Sequence, residues 1–221
     1  MEKDLLVLSG KMASGKSTVA KELKTNYGYK VLSISTPIRT FSTKIIEKPQ
    51  DIKMLLKKYL VNEKQETIEE LNEKLLSHFE ENFKGSQWEK NEEGEYNKNQ
   101  PFRKLMQYIA TTLREKYSDD IWTRIAAKMA LDLTEFGEKI VIDDLRLKEE
   151  KKILEKVGFV TIRLEVSKEE QEKRIMNLYG KIEKEALNHK TEIDLDNEYF
   201  DFVIDANKDI EKVKEDLKKI I

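Results

Sequence analysis

Short apolar runs alternate along the chain with longer stretches that carry apolar residues at helical spacing. The apolar runs predict buried strands at 4–9, 30–35, 139–143, 159–166 and 201–205. The longer stretches predict helices at 15–26, 39–46, 51–61, 66–84, 102–116, 119–134, 148–157, 168–178, 181–189 and 208–220. Because short strands alternate with helices, we expect an α/β fold with a mainly parallel five-stranded sheet and helices on both faces.

The chain is expected to form a single domain over 1–221, with a helical insertion at about 47–101. Residues 85–101 combine turn formers with charges and predict a loop. The simplest interpretation of 62–101 is a solvated and partly disordered insertion. Trp88, in this polar stretch, favours the alternative of a flap over a substrate or a dimer contact.

Composition excludes several classes of protein. Lys and Arg number 41 against 43 Asp and Glu, and a net charge of -2 excludes binding to nucleic acid through bulk charge. The absence of cysteine argues against disulfides, and only two histidines argue against a multi-histidine metal site. The apolar runs are too short to span a membrane, and the first residues lack a signal-peptide pattern. We therefore expect a cytoplasmic protein that binds neither nucleic acid nor membrane.

The segment GKMASGKS at 10–17 matches the phosphate-binding pattern G-x-x-x-x-G-K-[ST], between the first predicted strand and helix. Its glycines allow successive N–H groups to surround a phosphate, and the helix N-terminus adds positive charge. Lys16 would reach the β- and γ-phosphates of ATP, and Ser17 would ligate Mg²⁺. The residues expected to bind ATP are Gly10, Met12, Ala13, Ser14, Gly15, Lys16, Ser17 and Thr18. The alternative is a chance Gly-Lys loop, and switches, motors, ligases and kinases all share this pattern.

Two carboxylates, Asp143 and Asp144, close the third predicted strand, with Arg146 nearby. A carboxylate at the end of a strand beside the phosphate loop can hold the water shell of Mg²⁺ or accept a proton from an acceptor group. The alternative is a solvent-facing pair, or Asp144 as the cap of the next helix. The alternation of side chains leaves open which of the two faces the site.

Arginine is scarce, at seven of the 41 basic residues, and its rigid fork fits phosphate oxygens where lysine does not. At about 100° per residue, one stripe of the predicted helix 102–116 carries Arg103, Gln107, Ala110 and Arg114. Such a stripe can bind a nucleoside monophosphate, with arginine on the phosphate, the amide on a base edge and the small residue beside a ring. The alternative is an ordinary amphipathic helix.

Three further arginines carry separate expectations. Arg39 follows the second strand, where α/β sheets bind ligands, and is expected to meet an acceptor phosphate. Arg163 lies inside the fourth strand and is expected to form a buried ion pair. Arg174 lies within a predicted lid at about 167–190, where small P-loop kinases carry an arginine that neutralises the transferring phosphoryl group.

Several of these segments together resemble the deoxynucleoside monophosphate kinases of bacteriophages, within the nucleoside-monophosphate-kinase-like P-loop group. The similar segments are LSGKMASGKSTVAKEL, STPIRTF, RKLMQYIATTLREKYSDDIWTR, VIDDLRLKEE and, more weakly, TEIDLDNEYFDFVIDAN. The third segment resembles the family pattern R-x-L-x-Q-x-x-G-T followed by D-x-x-W. The fourth segment resembles the pattern D-x-R-x-x-x-E, and the fifth resembles E-x-x-L-D. Residues 47–101 lie outside the resemblance.

The resemblance implies which residues form a monophosphate site: Arg39, Arg103, Gln107 and Arg114. Asp144 and Arg146 would correspond to the D-x-R pair near substrate and metal, and Trp122 to a family tryptophan that packs. Two departures affect the site. Ala110 stands where glycine is common, and Ser17 stands where many relatives have aspartate.

The sequence therefore predicts an enzyme that transfers the γ-phosphoryl group of ATP to a deoxynucleoside monophosphate, with Mg²⁺ held by Ser17 and Asp144. The residues expected to take part in catalysis are Lys16, Asp143, Asp144, Arg146 and Arg174. Two alternatives stay open: a P-loop kinase of another phosphorylated acceptor, such as dephospho-coenzyme A or phosphomevalonate, and a nucleotide-binding switch or partner-binding module. The expected partners are nucleotide substrates, and a homodimer is left open.

Overall fold

The computed structural model describes residues 3–61, 63–182, 184–187 and 189–221. Within these ranges the chain divides into two compact units. The described residues up to Ile34 and from Ala126 to Ile221 form the first unit, and those of Ser35–Ile125 form the second. The predicted insertion at 47–101 belongs to the second unit. That insertion includes residue 62, and the predicted lid includes residues 183 and 188, which lie outside the described ranges.

The helices and strands follow the predicted order. In chain order they are β1 (Leu5–Gly10), α1 (Lys16–Tyr27), β2 (Tyr29–Leu32), α2 (Thr36–Glu47), α3 (Ile52–Tyr59), α4 (Gln65–Phe83), α5 (Gln100–Lys116), α6 (Ile121–Thr134), β3 (Lys139–Leu145), α7 (Lys148–Lys156), β4 (Val160–Glu165), α8 (Lys168–Tyr179), α9 (Lys184–Leu187), α10 (Lys190–Ile193), β5 (Phe202–Asp205) and α11 (Ile210–Ile220). A short 3-10 turn at Pro49–Asp51 precedes α3.

The first unit is built on a parallel sheet of five strands in the order β2-β3-β1-β4-β5. One face packs against α1 and α11 through a cluster that includes Leu8, Leu23 and Leu217. The other face packs against the later part of α6 and against α7, around Val7 and Leu154. A parallel sheet needs cover on both faces, because its strands are apolar on both sides. The predicted α/β fold is confirmed.

The second strand is shorter than predicted. The apolar alternation at 30–35 predicts a strand through Ser35, but β2 ends at Leu32 and α2 already begins at Thr36, three residues before the predicted start at Arg39. Pro37 accounts for the difference, because proline has no N–H to donate to a sheet and fits the first turn of a helix. Arg39 consequently lies within the first turns of α2.

The second unit contains α2 to α5, and an aromatic cluster orders its polar loop. Trp88 packs against the rings of Phe79, Phe83, Tyr96 and Phe102, with ring centroids 6.2 to 6.5 Å apart. The backbone of this loop also closes on itself, through a two-residue antiparallel bridge between 90 and 96. Trp88 therefore has a structural role inside the second unit, while the flap and the dimer contact stay predictions.

Within the described residues, no helix has both the length and the apolar character needed to cross a bilayer.

We expect Trp88→Ala to destabilise the second unit by about 3 kcal/mol, because large-to-small changes in an aromatic cluster lose packing and leave a cavity. Equilibrium unfolding followed by circular dichroism measures this. Phe136→Ala is the matched control, since Phe136 is 84% exposed and its loss should change stability by less than about 0.5 kcal/mol. Equal effects of the two substitutions would contradict the structural role of Trp88.

Candidate active site

The segment at 10–17 forms a tight turn between the carboxyl end of β1 and the first residue of α1. Gly10 has no room for a side chain, because a Cβ there would lie 2.8 Å from the carbonyl oxygen of Leu164 on β4. Gly15 has a φ of 97° and Ala13 a φ of 59°, both in the left-handed region that L side chains rarely adopt. Glycine adopts such an angle at little cost, whereas Ala13 is held in a conformation that costs backbone energy, as is common at binding sites.

The turn carries backbone donors that the protein itself does not use. Among the described residues, the N–H groups of Ala13, Gly15, Lys16 and Ser17 have no hydrogen-bond acceptor. The hydroxyl of Ser14 is buried and also lacks a partner there. Unsatisfied donors at the start of a helix, where the helix dipole adds positive charge, make a binding site for an anion. The turn is thus chemically suited to phosphate.

Lys16 adds a positive charge at the base of this turn. Its residue is only 9% exposed, and its ammonium donates to the carbonyl oxygens of Gly10 and Lys11, the latter at 2.9 Å. Burial, followed by repulsion from Arg146, lowers the pKa of Lys16 to about 8. An anion placed beside this ammonium would favour its charged form.

A cavity of about 830 Å³ opens over the turn. Seven of the eight residues expected to bind ATP line it, all except Gly10, together with Arg146 and Arg174. At another part of its wall are the side chains of Leu178, Tyr179 and Ile210, which are 66%, 62% and 41% exposed. Large apolar side chains at the rim of a polar cavity suit a ligand that has both a charged and a flat apolar part.

Arg174 is fixed between two segments of the cavity wall. Its guanidinium donates to the carbonyl oxygen of Ala206 at 2.7 Å and to that of Ala13 at 3.4 Å, and it pairs with Glu170 at 2.9 Å. Gln171 on the same helix donates to the carbonyl oxygen of Met12 at 3.1 Å. Helix α8 is therefore attached directly to the phosphate loop, and a role for Arg174 as a lid arginine stays a prediction.

The two carboxylates at the end of β3 have different partners. The register between β1 and β3 shifts after Val7, so β3 carries one additional residue near its carboxyl end, and such bulges re-aim side chains. Asp144 Oδ1 accepts the N–H of Ile34 at 2.7 Å. The charges of Asp143 and Lys16, in contrast, shift each other's pKa. Asp144 therefore fixes the backbone just after β2, while the charge of Asp143 interacts with that of Lys16 in the phosphate loop.

Burial shifts both carboxyl groups in the same direction. It raises the pKa of Asp144 to about 6, and it raises the pKa of Asp143 as well, where the charges of Lys16 and Arg146 oppose the rise. Both groups are therefore more easily protonated than an exposed aspartate.

The donor set fits Mg²⁺ bound together with a phosphate. The hydroxyl of Ser17 lines the cavity, and the carboxylates of Asp143 and Asp144 end the neighbouring strand. In the part of the chain that the structure describes, no cluster of three or more acidic or histidine side chains could hold a metal ion alone. Mg²⁺ at a nucleotide needs only one or two protein oxygens, because phosphates and waters supply the rest.

Sequence reasoning gave no role to Glu192, the first residue of the Glu-x-x-Leu-Asp pattern, although it contacts both the loop and Arg146. Its Oε2 accepts the N–H of Met12 at 2.6 Å, and its Oε1 accepts from Arg146 Nη1. It also missed Tyr179, Leu178 and Ile210 at the cavity rim. Glu192 falls in the weakest of the similar segments, and the three rim residues carry no motif, so only the fold brings them to the site.

The predicted acceptor residues belong to the second unit. Arg103, Gln107 and Arg114 share an exposed face of α5, as predicted. Ala110 is only 8% exposed, in contrast to the expected exposed stripe, and the indole of Trp122 donates to its carbonyl oxygen at 3.0 Å. The packing of Trp122 covers this part of the helix.

Arg39 and Arg163 are both engaged by protein groups. Arg39 donates to the carbonyl oxygen of Tyr96 at 2.9 Å and lies 3.8 Å from a carboxylate oxygen of Glu95, so it supports the polar loop of its own unit. Arg163 is buried and pairs with Asp196 at 3.0 Å, which confirms the predicted ion pair, although the Asp196 side chain is 33% exposed. Binding of an acceptor phosphate by Arg39 stays a prediction.

No protein-family model and no curated protein matches the chain. Solved structures do match it, among them the crystal structure of TT1252 from Thermus thermophilus, which is 18% identical. That match covers 99% of this chain and 97% of TT1252, with a TM-score of 0.49. A functional assignment therefore depends on the groups of the site itself.

We expect the affinity for ADP to fall as the pH rises through about 8, because Lys16 loses its proton in the free protein there while the terminal phosphate stays ionised. Each further pH unit should weaken binding by up to about tenfold, until the pKa of the bound state is reached. Calorimetric titration between pH 7 and 9.5 measures this.

Lys16→Met should bind weakly and without this pH dependence. Lys21→Met, an exposed lysine on the same helix, should behave as the unchanged protein. An affinity of the unchanged protein that is constant over this range would contradict the role of the Lys16 ammonium.

Proposed function

We propose that this chain is a kinase that transfers the γ-phosphoryl group of ATP to a deoxynucleoside monophosphate, in a cytoplasmic setting. The observation that carries the donor half is the cluster of unused N–H groups at Ala13, Gly15, Lys16 and Ser17 beside a buried ammonium. The acceptor half is supported by the resemblance of segments 103–124 and 141–150 to the phage enzymes.

In this proposal the first unit binds ATP. The phosphates are held by the N–H groups of the turn and by the Lys16 ammonium. The base contacts the exposed apolar rim formed by Leu178, Tyr179 and Ile210. Flat aromatic groups gain from apolar contact and stacking, so this rim offers the base a surface that the phosphate loop lacks.

The proposed reaction is a single displacement. An oxygen of the acceptor phosphate forms a bond to the γ-phosphorus while the bond from that phosphorus to the β–γ bridging oxygen breaks, and ADP leaves with the electron pair. Lys16 and Arg146 neutralise charge on the phosphoryl group, so catalysis depends on alignment and electrostatics. Mg²⁺, held by Ser17 and the carboxylates at the end of β3, supplies further charge neutralisation when bound.

We assign acceptor binding to the second unit, through Arg39, Arg103, Gln107 and Arg114. Three of these side chains are exposed on one helix, and two are arginines in a chain in which only seven of the 41 basic residues are arginine. An exposed guanidinium suits a phosphate dianion, because its parallel N–H groups can bind two oxygens at once.

ADP release in the presence of ATP, Mg²⁺ and each of a set of deoxynucleoside monophosphates tests the proposal. We expect turnover well above the rate with water for at least one of them. Dephospho-coenzyme A and phosphomevalonate are included in the set, and turnover with either alone would replace the proposed acceptor. No turnover with any acceptor would contradict the kinase assignment.

Arg114→Ala should raise KM for the accepted monophosphate by about tenfold or more, because it removes a charge-assisted phosphate contact worth about 1.5–3 kcal/mol. Arg124→Ala is the matched control. Arg124 is also an exposed arginine of the second unit, but it pairs with Asp120 at 2.7 Å. Equal kinetic effects of the two substitutions would contradict the assignment of Arg114.

A further inference from the structure

We propose that Glu192 is a positioning residue for phosphoryl transfer, which holds the Arg146 guanidinium at the wall of the cavity and fixes the phosphate loop beside it. This inference rests on the proposed function, because it assigns Arg146 to the charge of the transferring group. Glu192 does not itself contact the reacting atoms.

Glu192 joins two elements that both carry phosphate-binding groups. One carboxylate oxygen accepts the N–H of Met12 in the phosphate loop at 2.6 Å, and the other accepts from Arg146 Nη1, just after β3. The Glu192 side chain is only 4% exposed, whereas that of Arg146 is 31% exposed. A buried carboxylate bound on both oxygens is a rigid link, because water does not compete for its hydrogen bonds.

The positions of the two side chains differ with respect to the cavity. Arg146 lines it, and Glu192 does not. Glu192 accepts from one nitrogen of the Arg146 guanidinium, Nη1. Arginine has five N–H donors in a fixed plane, so fixing one of them orients the others. The remaining donors are left for a ligand.

The segment around Glu192 is itself anchored. Asp194 accepts the backbone N–H of Lys148 at 2.8 Å, which ties α10 to the start of α7. Asp196 pairs with Lys11 at 2.8 Å and with Arg163 at 3.0 Å, which ties the following residues to the phosphate loop and to β4. The residues that follow Glu192 are therefore fixed to the phosphate loop, to β4 and to α7, which restricts the movement of Glu192 and of the guanidinium that it binds.

A double-mutant cycle between Glu192 and Arg146 tests the inference. Glu192→Gln keeps an oxygen that can accept the Met12 N–H but removes the charge that holds the guanidinium. We expect kcat to fall about 10- to 100-fold with a much smaller change in KM for ATP, because a misplaced charge-stabilising group costs mainly transition-state binding. In an Arg146→Ala background, the same substitution should cost less than about twofold, since its target is gone.

The cycle carries two controls. Asp201→Asn removes the charge of a carboxylate in the same unit that accepts from the N–H and hydroxyl of Thr161, and its effect should be the same with and without Arg146. As the second control, the melting temperatures of all variants are compared.

If Glu192→Gln does not fold, Glu192→Asp replaces it. That change keeps the negative charge but moves it back by one methylene group, away from the guanidinium.

ADP affinity, measured on the same variants, separates the two proposals. Suppose that the unchanged protein turns over an acceptor while Glu192→Gln lowers kcat equally with and without Arg146. That result would overturn the positioning role and leave the kinase assignment intact. If the unchanged protein binds ADP but turns over no acceptor, the kinase assignment fails. The link between Glu192 and Arg146 is then judged from ADP binding. It is supported if Glu192→Gln weakens ADP affinity less in the Arg146→Ala background than in the unchanged protein, and overturned if the two effects are equal. No binding of ADP would overturn both.

Discussion

The structure depends on a backbone constraint at the β1–α1 turn: several of its N–H groups find no acceptor among the described residues. Four of them lie within residues 13–17 of the described chain. Unused donors and left-handed backbone angles both cost free energy, so the turn is maintained by its surroundings. Gly10 helps to hold the turn in place, because its lack of a side chain lets the turn approach the carbonyl of Leu164 on β4 more closely than any side chain would permit. The parallel sheet supplies that close approach, because it brings the carboxyl ends of β1, β3 and β4 to one edge.

Positive charge at the same edge is paired with acidic side chains, one buried (Glu192) and one exposed (Asp196). Burial lowers the pKa of Lys16 to about 8, and the positive charges of Arg146 and Arg163 contribute to this fall. Glu192 and Asp196 offset this positive charge through direct ion pairs with Arg146 and Arg163. The arrangement leaves a net attraction for anions in the cavity, while each arginine keeps a defined orientation. A protein with a net charge of -2 thereby holds a local positive site.

The sequence allowed the strands, most helices and the phosphate loop to be predicted, because these follow from local periodicity and from one specific motif. It did not allow the end of β2 to be placed. The apolar alternation continues past the end of the strand, and Pro37 lies in the first turn of the helix that follows. It left open which of Asp143 and Asp144 faces the site, and side-chain alternation alone could not decide this because β3 contains a bulge. Glu192 was missed because it lies 180 residues from Met12 along the chain, and no local pattern reports such a contact. Ala110 was expected on an exposed stripe, but it is buried because Trp122 packs against this part of the helix.

The central claim is that the turn at 10–17 is a polyphosphate site. A crystal structure of the full chain with ADP and Mg²⁺ tests it most directly. We predict that oxygens of the β-phosphate lie about 3 Å from the backbone nitrogens of Gly15 and Lys16, and that the base packs against Tyr179 or Ile210. Phosphates bound elsewhere, with those N–H groups still without an acceptor, would contradict it.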